Sequence, residues 1–211
     1  MKSLAILGAS GHGIAVAEVA ELSGWSVQCF FDDAYPKKQK TSNWSIIGNT
    51  ADLLKNLGEF DAIHVGIGDN RTRLSMIKTF LEHGATLATV IHPSASISKS
   101  ASLKDGVAVF ANSSVKNNTV IGIGSILNTN SSLAHHCILG DGVHISPGAN
   151  IAGHVKVGDR SWIGIGSAII QNIEIGNDVI IGAGSAVVSN IPDSCLALGV
   201  PCKVTRPNKL I

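Results

Sequence analysis

Residues 157–187 read VGDRSWIGIGSAIIQNIEIGNDVIIGAGSAV, with an aliphatic residue at every sixth place: Val157, Ile163, Ile169, Ile175, Ile181 and Val187. The register runs back without a miss through Ile151, Ile145, Leu139, Leu133, Leu127, Ile121, Val115, Val109 and Leu103 to Ile97. Small or β-branched residues often stand four places later, among them Ser113, Thr119, Ser125, Ser161 and Ser167, as a tightly wound coil requires. Gly122, Gly140, Gly158 and Gly176 recur at every third hexad. Three hexads therefore make one coil, and the spacing predicts a three-sided parallel β-solenoid with stacked glycines at one corner. The period leaves handedness open, right-handed crossovers being the general default.

Upstream of this repeat the pattern changes. Residues 1 to about 91 alternate apolar runs (Leu4–Leu7, Val27–Phe31, Ala62–Ile67, Leu87–Ile91) with amphipathic stretches (Ile14–Leu22, Ala51–Leu57, Arg71–His83). That alternation predicts βαβ units and a parallel sheet. Asp69-Asn70 can cap the third helix, Gly84 can end it, and His92-Pro93 closes the domain. The expected organisation is an α/β, Rossmann-like domain over residues 1–91 followed by a β-helix domain with a C-terminal tail over 92–211.

Composition narrows the function classes. Sixteen basic and 15 acidic residues give a net charge of +1 without any basic run, which argues against nucleic acid as a partner. Aromatic residues make up 4% of the chain while Gly reaches 23 residues, so backbone and small aliphatic groups must build the fold. The run Leu4–Leu7 stops at Gly8-Ala9-Ser10-Gly11, too short for a signal segment, and nothing approaches the ~18 apolar residues of a membrane span. Cys29, Cys137, Cys195 and Cys202 lack C-x-x-C spacing and read as buried thiols of a cytoplasmic protein.

The loop Gly8-Ala9-Ser10-Gly11-His12-Gly13 lies between the first strand and a helix, where backbone N–H groups can receive a phosphate. Its G-x-x-G-x-G pattern is not the dinucleotide G-x-G-x-x-G, which argues against NAD. Asp32-Asp33 follows the second strand, a place where an acid meets a ribose hydroxyl or a base edge. Ordinary turn chemistry accounts equally well for Asp69.

With its hexads behind the Gly8–Gly13 loop and a closing Gly199-Val200-Pro201, the chain resembles the sialic-acid O-acetyltransferase-like family of hexapeptide acyltransferases over nearly its whole length. The resemblance implies a left-handed β-helix, a homotrimer with active sites between neighbouring β-helices, and acetyl-CoA as co-substrate without a metal. Its best-known branch N-acetylates the 4-amino group of UDP-linked 4-amino-4,6-dideoxy-sugars for bacillosamine-type glycans. In that branch a histidine base is followed by Asp or Glu, with a histidine nine places on and an asparagine seven places before. His135, His144 and Asn128 stand at those spacings, and His136 stands where the carboxylate is expected.

The resemblance then assigns roles. An imidazole suits His135 as the base that takes the proton shed by the attacking amine. Gly153 lies one 18-residue coil beyond His135, so the two should stack about one strand spacing (~4.8 Å) apart. Its N–H would stabilise the oxyanion. His144 would meet the thioester carbonyl or the CoA chain, and Asn128 the acceptor or His135. Ile165 and Ala183 match CoA-contacting positions of the later coils, and Lys203 could meet a CoA phosphate. The nucleotide-sugar would contact Gly8, Ser10, Gly11, His12, Gly13, Asp32, Asp33, Gly68, Asn70 and Arg71. His64 and His154 match no functional position and are read as structural.

Three rival readings share the fold: an O-acetyltransferase for sialic acid or an N-acyltransferase for another sugar such as a dTDP-linked one; a γ-type carbonic anhydrase, since four histidines fall between 135 and 154; and a non-catalytic nucleotide-sugar sensor.

Overall fold

The computed structural model describes residues 1–208, and the last three residues of the expected tail, 209–211, lie outside the described residues. The chain divides into two compact units, one ending at Pro93 and the other beginning at Ser94.

In the first unit, strands β1 (Lys2–Leu7), β2 (Trp25–Phe31), β3 (Lys40–Thr41), β4 (Trp44–Gly48) and β5 (Ala62–Val65) form one sheet in the order β3-β4-β2-β1-β5. All neighbours are parallel except the edge pair of β3 and β4. Near-continuous apolar runs fit strands covered on both faces: Leu4 to Leu7 and Phe30–Phe31 are buried. Helices α1 (Gly11–Leu22), α2 (Thr50–Lys55) and α3 (Asn70–Glu82) flank it. Asp69 caps α3 by accepting the Thr72 N–H at 2.8 Å, and Gly84 at φ +77° follows its end. Of the expected strand Leu87–Ile91 only Val90–Ile91 is regular, with Leu87 making a single bridge to Ile63.

The second unit is a parallel β-helix of two-residue strands in three sheets. Through the coils each strand pairs with the strand 18 residues on, as Ser132–Leu133 does with Asn150–Ile151; at the C-terminal end Ile180–Ile181 pairs instead with Leu196–Ala197 of the strand Cys195–Leu198, which is antiparallel to Lys203–Pro207. One face carries Ala108–Val109, Ile126–Leu127, His144–Ile145, Trp162–Ile163 and Ile180–Ile181. A second carries Ser132–Leu133 and its stack, and a third Ile138–Leu139 and its stack. The sixth-place aliphatics fill the prism, with Val109, Ile121, Leu127, Leu133, Ile145, Ile163 and Ile181 fully buried, while Ile97 and Leu103 in the first coil are only half-buried. The hydroxyls four places later are buried but satisfied: Ser125 Oγ donates to Gly140 O (2.9 Å), Ser161 Oγ to Gly176 O (2.7 Å) and Thr119 Oγ1 to Ala134 O (3.0 Å).

The glycine column has a specific cause. Asp141 Oδ1 accepts the Ile123 N–H, Asp159 Oδ1 the Asp141 N–H, and Asn177 Oδ1 the Asp159 N–H, a ladder of side chains climbing one corner. A methyl on Gly158 would lie 2.6 Å from the Asn177 nitrogen and the Gly176 carbonyl carbon. All four cysteines are buried free thiols, and no helix among the described residues is long and apolar enough to cross a membrane.

Two outcomes follow from these packings. Gly158→Ala meets backbone that cannot yield and should cost about 3 kcal/mol in urea unfolding, whereas Gly148→Ala, at φ +67° in open space, should cost about 1 kcal/mol of left-handed strain. His64 on β5 is buried with Nδ1 donating to Ala88 O at 2.9 Å, and burial pushes its pKa down to about 4. The unfolded chain then binds the extra proton between about pH 6.5 and 4, so stability falls as pH falls through that window. Going from pH 7 to 5 should remove on the order of 2 kcal/mol through this group, and His64→Gln should remove that share of the slope while leaving the share of buried His12.

Candidate functional site

In the first unit, β1 delivers Gly8 at φ +97° to the carboxyl end of the sheet, beside the place where strand order reverses between β1 and β5. Open α/β sheets bind ligands at such crevices. A cleft of about 400 Å³ opens there, lined by Leu7, Gly8, Ser10, Asp32, Asp33, Thr50, Ile67, Thr72 and Met76. Of the residues expected at the nucleotide, Gly8, Ser10, Asp32 and Asp33 line this cleft. Ser10 is exposed at the N-cap of α1 and its hydroxyl caps nothing within the helix.

The other expected residues lie around the cleft in different employment. Gly13 is buried, and Gly66 packs so closely on it that a methyl on Gly66 would lie 2.8 Å from the Gly13 α-carbon. Asn70 is buried and its Oδ1 accepts from Arg73 Nη2 at 2.7 Å, while Arg73 Nη1 donates to Ile67 O (3.1 Å) and Gly68 O (3.0 Å). Gly11 and Arg71 are exposed. Burial, then the Arg73 guanidinium and His64, push His12 down to about 3, so its imidazole is neutral at physiological pH. Asp32 accepts the Ala9 N–H (2.7 Å) and the Ala34 N–H (2.9 Å), and Asp33 accepts the Thr50 N–H (2.9 Å). Both acids therefore brace the rim of the cleft as well as lining it. Nothing in the sequence marks Arg73, since an arginine inside a polar helix start gives no sign that it will be buried.

In the β-helix the histidines separate into two groups. Asn128 and His144 meet, with Nδ2 of the amide 3.3 Å from Nε2 of the imidazole. The Thr129 N–H donates to Asn128 Oδ1 at 2.9 Å, which fixes the amide with its N–H₂ toward His144. Nε2 is thus the acceptor and Nδ1 carries the proton. Trp162 stacks on His144 with centroids 5.1 Å apart and donates to Ser146 Oγ at 2.6 Å. These residues line a cleft of about 560 Å³ with Gly164, Ile165, Gly182 and Ala183. Three of the expected CoA residues, His144, Ile165 and Ala183, thus share one wall. Lys203 is exposed on the strand Lys203–Pro207 and does not line it.

His135 stands at the next corner, beyond Ser132–Leu133, and its ring lies over Gly153. A methyl on Gly153 would sit 2.7 Å from His135 Cε1 and 2.9 Å from Nε2, so only glycine permits this approach. His135 Nδ1 is 3.1 Å from His136 Nδ1, and His136 Nε2 is 3.1 Å from Asn118 Nδ2. His154, read from sequence as structural, stacks on His136 (4.8 Å, 13° between planes) and meets His135 edge-on at 5.1 Å. The signal for it was present: 154 is 136 plus one coil.

The first unit matches the family model described as the PglD N-terminal domain over residues 3–80, and residues 154–188 match the bacterial transferase hexapeptide model of six repeats. No curated protein sequence matches the chain. Among solved structures, a perosamine N-acetyltransferase from Caulobacter crescentus, crystallised with CoA and GDP-perosamine, is similar at 34% identity over 97% of both chains, with a TM-score of 0.93. The acetyltransferase domain of PglB from Neisseria gonorrhoeae in complex with acetyl coenzyme A shows 36% identity over 97% of this chain and 99% of that one, with a TM-score of 0.92. WeeI from Acinetobacter baumannii shares the fold at 22% identity (97% of this chain, 100% of that one; TM-score 0.86). With a Rossmann-like unit ahead of a hexapeptide-repeat parallel β-helix and full-length similarity of this order, the chain belongs to the PglD-type family of sugar N-acetyltransferases.

Proposed function

We propose that the protein moves the acetyl group of acetyl-CoA onto the 4-amino group of a UDP-linked 4-amino-4,6-dideoxy-sugar, a step of bacillosamine-type glycan biosynthesis. The observation that carries this reading is similarity along 97% of the chain to N-acetyltransferases solved with CoA, acetyl-CoA or a nucleotide-linked amino-sugar. The amine nitrogen attacks the thioester carbonyl carbon, His135 takes the proton, and the Gly153 N–H, which meets no acceptor among the described residues, receives the oxyanion. Collapse expels the CoA thiolate and leaves the amide. The cleft of the first unit, with Asp32 and Asp33 at its rim, holds the nucleotide, and the Asn128–Trp162 cleft holds the CoA chain.

The two groups of the β-helix lie at different corners of one prism, because Asn128 follows the strand Ile126–Leu127 and His135 the strand Ser132–Leu133. In a homotrimer the His135 corner of one copy meets the Asn128–His144 corner of the next, so that one substrate pair touches both groups. Exposed Trp162, Ile165, Ile170 and Val188 supply apolar surface for such contacts, and a homotrimer closes three equivalent sites.

Thiol release from acetyl-CoA should appear with UDP-linked 4-amino-sugars in a panel that also holds GDP- and dTDP-linked sugars and sialic acid; release with sialic acid alone overturns transfer to nitrogen. His135→Ala should lower kcat/KM on the order of 10²–10⁴-fold at every pH. His136→Glu places an anion beside the base and favours its imidazolium form, so the acid limb of the kcat/KM profile should move to higher pH; an unmoved limb removes His136 from the site. Gly153→Ala should fold with a loss of about 1 kcal/mol or less, since the ring end can swing aside, yet lower kcat about 10²-fold by displacing the imidazole.

A further inference from the structure

We propose that His135, His136 and His154 form a site for a divalent transition metal of the Zn²⁺ type, and that occupation of this site silences acetyl transfer. Silencing rests on His135 being the base; the site itself does not.

The three imidazoles offer one nitrogen each within 4.8 Å of one another. Zinc–nitrogen bonds of about 2.0–2.1 Å in a tetrahedron place ligand nitrogens about 3.3 Å apart. The His135 Nδ1 to His136 Nδ1 separation, 3.1 Å, is already close to that edge length. The two edges to His154, within 4.8 Å, close by side-chain rotations, which exposed rings can make. Three neutral imidazoles with the fourth position open to water form the donor set that suits Zn²⁺, Cu²⁺ or Ni²⁺. Asn118 beside Nε2 of His136 supplies the outer contact that orients a ligating imidazole, accepting the Nε2–H when its oxygen faces the ring.

The backbone also sets the cluster apart. Each hexad turn from Gly106 to Gly184 carries one residue at positive φ. Those places hold Gly, Asn or Asp except at His136 (φ 58°), His154 (φ 59°) and Arg160 (φ 58°). Histidine tolerates this region better than most larger side chains, yet it is not among the residues that visit it routinely. Arg160 makes a paired contact one coil on, Nε to Asp178 Oδ1 at 2.8 Å and Nη2 to Asp178 Oδ2 at 2.6 Å. His136 and His154 are the equivalent one-coil pair in the next column, with only a stacked ring contact between them. A shared cation is the partner that this pair and His135 together fit.

The test uses the full chain after chelator treatment. Zn²⁺ binding by calorimetry, and the visible d–d absorption of tetrahedral Co²⁺, should show one saturable site per chain. His154→Asn keeps a residue suited to positive φ, so the fold is retained, as an unchanged melting temperature will show. It should weaken Zn²⁺ binding at least about tenfold, leave metal-free acetyl transfer intact, and relieve Zn²⁺ inhibition. Absence of saturable binding, or binding that His154→Asn does not weaken, overturns the site, and His135→Ala inactivity would then leave the base assignment standing. Saturable binding at the triad with undiminished acetyl transfer overturns the silencing, and with it His135 as the base.

Discussion

A turn must close every six residues, and in this β-helix every turn from Gly106 to Gly184 places one residue at φ between 54° and 70°. That single backbone requirement fixes the 18-residue coil, because three equal sides return the chain to the same corner one strand spacing higher. Everything at the candidate site inherits the register. Gly153 lies over His135, His154 over His136, Asp178 over Arg160, and the Asp141–Asp159–Asn177 ladder climbs its corner in the same step. A side chain in this fold is therefore placed by its number modulo 18 more firmly than by its neighbours in sequence.

This explains what was legible beforehand. The hexad series, the glycine column and the stacking of Gly153 on His135 all follow from period alone. The grouping of Asn128, His135 and His144 did not, because offsets of seven and nine residues carry a side chain onto a different corner or face. Asn128 and His144 are 16 residues apart, nearly one coil, and so they touch. His135 is joined instead by His154, one coil beyond its neighbour His136. Acidic residues of the first unit were harder to read. Asp32 and Asp33 reach the expected cleft, but their hydrogen bonds to Ala9, Ala34 and Thr50 depend on loop geometry that strand-and-helix patterning does not encode.

The glycines divide by physical cause in the same way. Gly148 answers a demand for positive φ and faces open space, while Gly158 has an ordinary φ and answers close backbone approach. Gly153 belongs to neither class: what presses on it is an imidazole, which could move. A residue kept small beneath a movable, exposed ring serves the position of that ring. In the first unit Gly13 and Gly66 are again of the close-approach kind, letting α1 and β5 meet beneath the loop, and a loop rich in glycine owes at least that much of its composition to packing.

The contact chain Asn118–His136–His135 can be satisfied in two ways. With the Asn118 N–H₂ toward His136 Nε2, His136 donates from Nδ1 to His135 Nδ1, and the remaining proton of His135 sits on Nε2. With the amide oxygen toward Nε2 instead, His136 donates there, its Nδ1 lone pair accepts from His135 Nδ1, and His135 Nε2 is left as a free lone pair. A carboxylate at 136 would accept from His135 Nδ1 and so permit only the second arrangement. An imidazole at 136 is both donor and acceptor and imposes neither, so the choice passes to the amide of Asn118. That residue stands 18 places before His136, and the register that stacks the coils is therefore also what puts an orienting group within reach of the base.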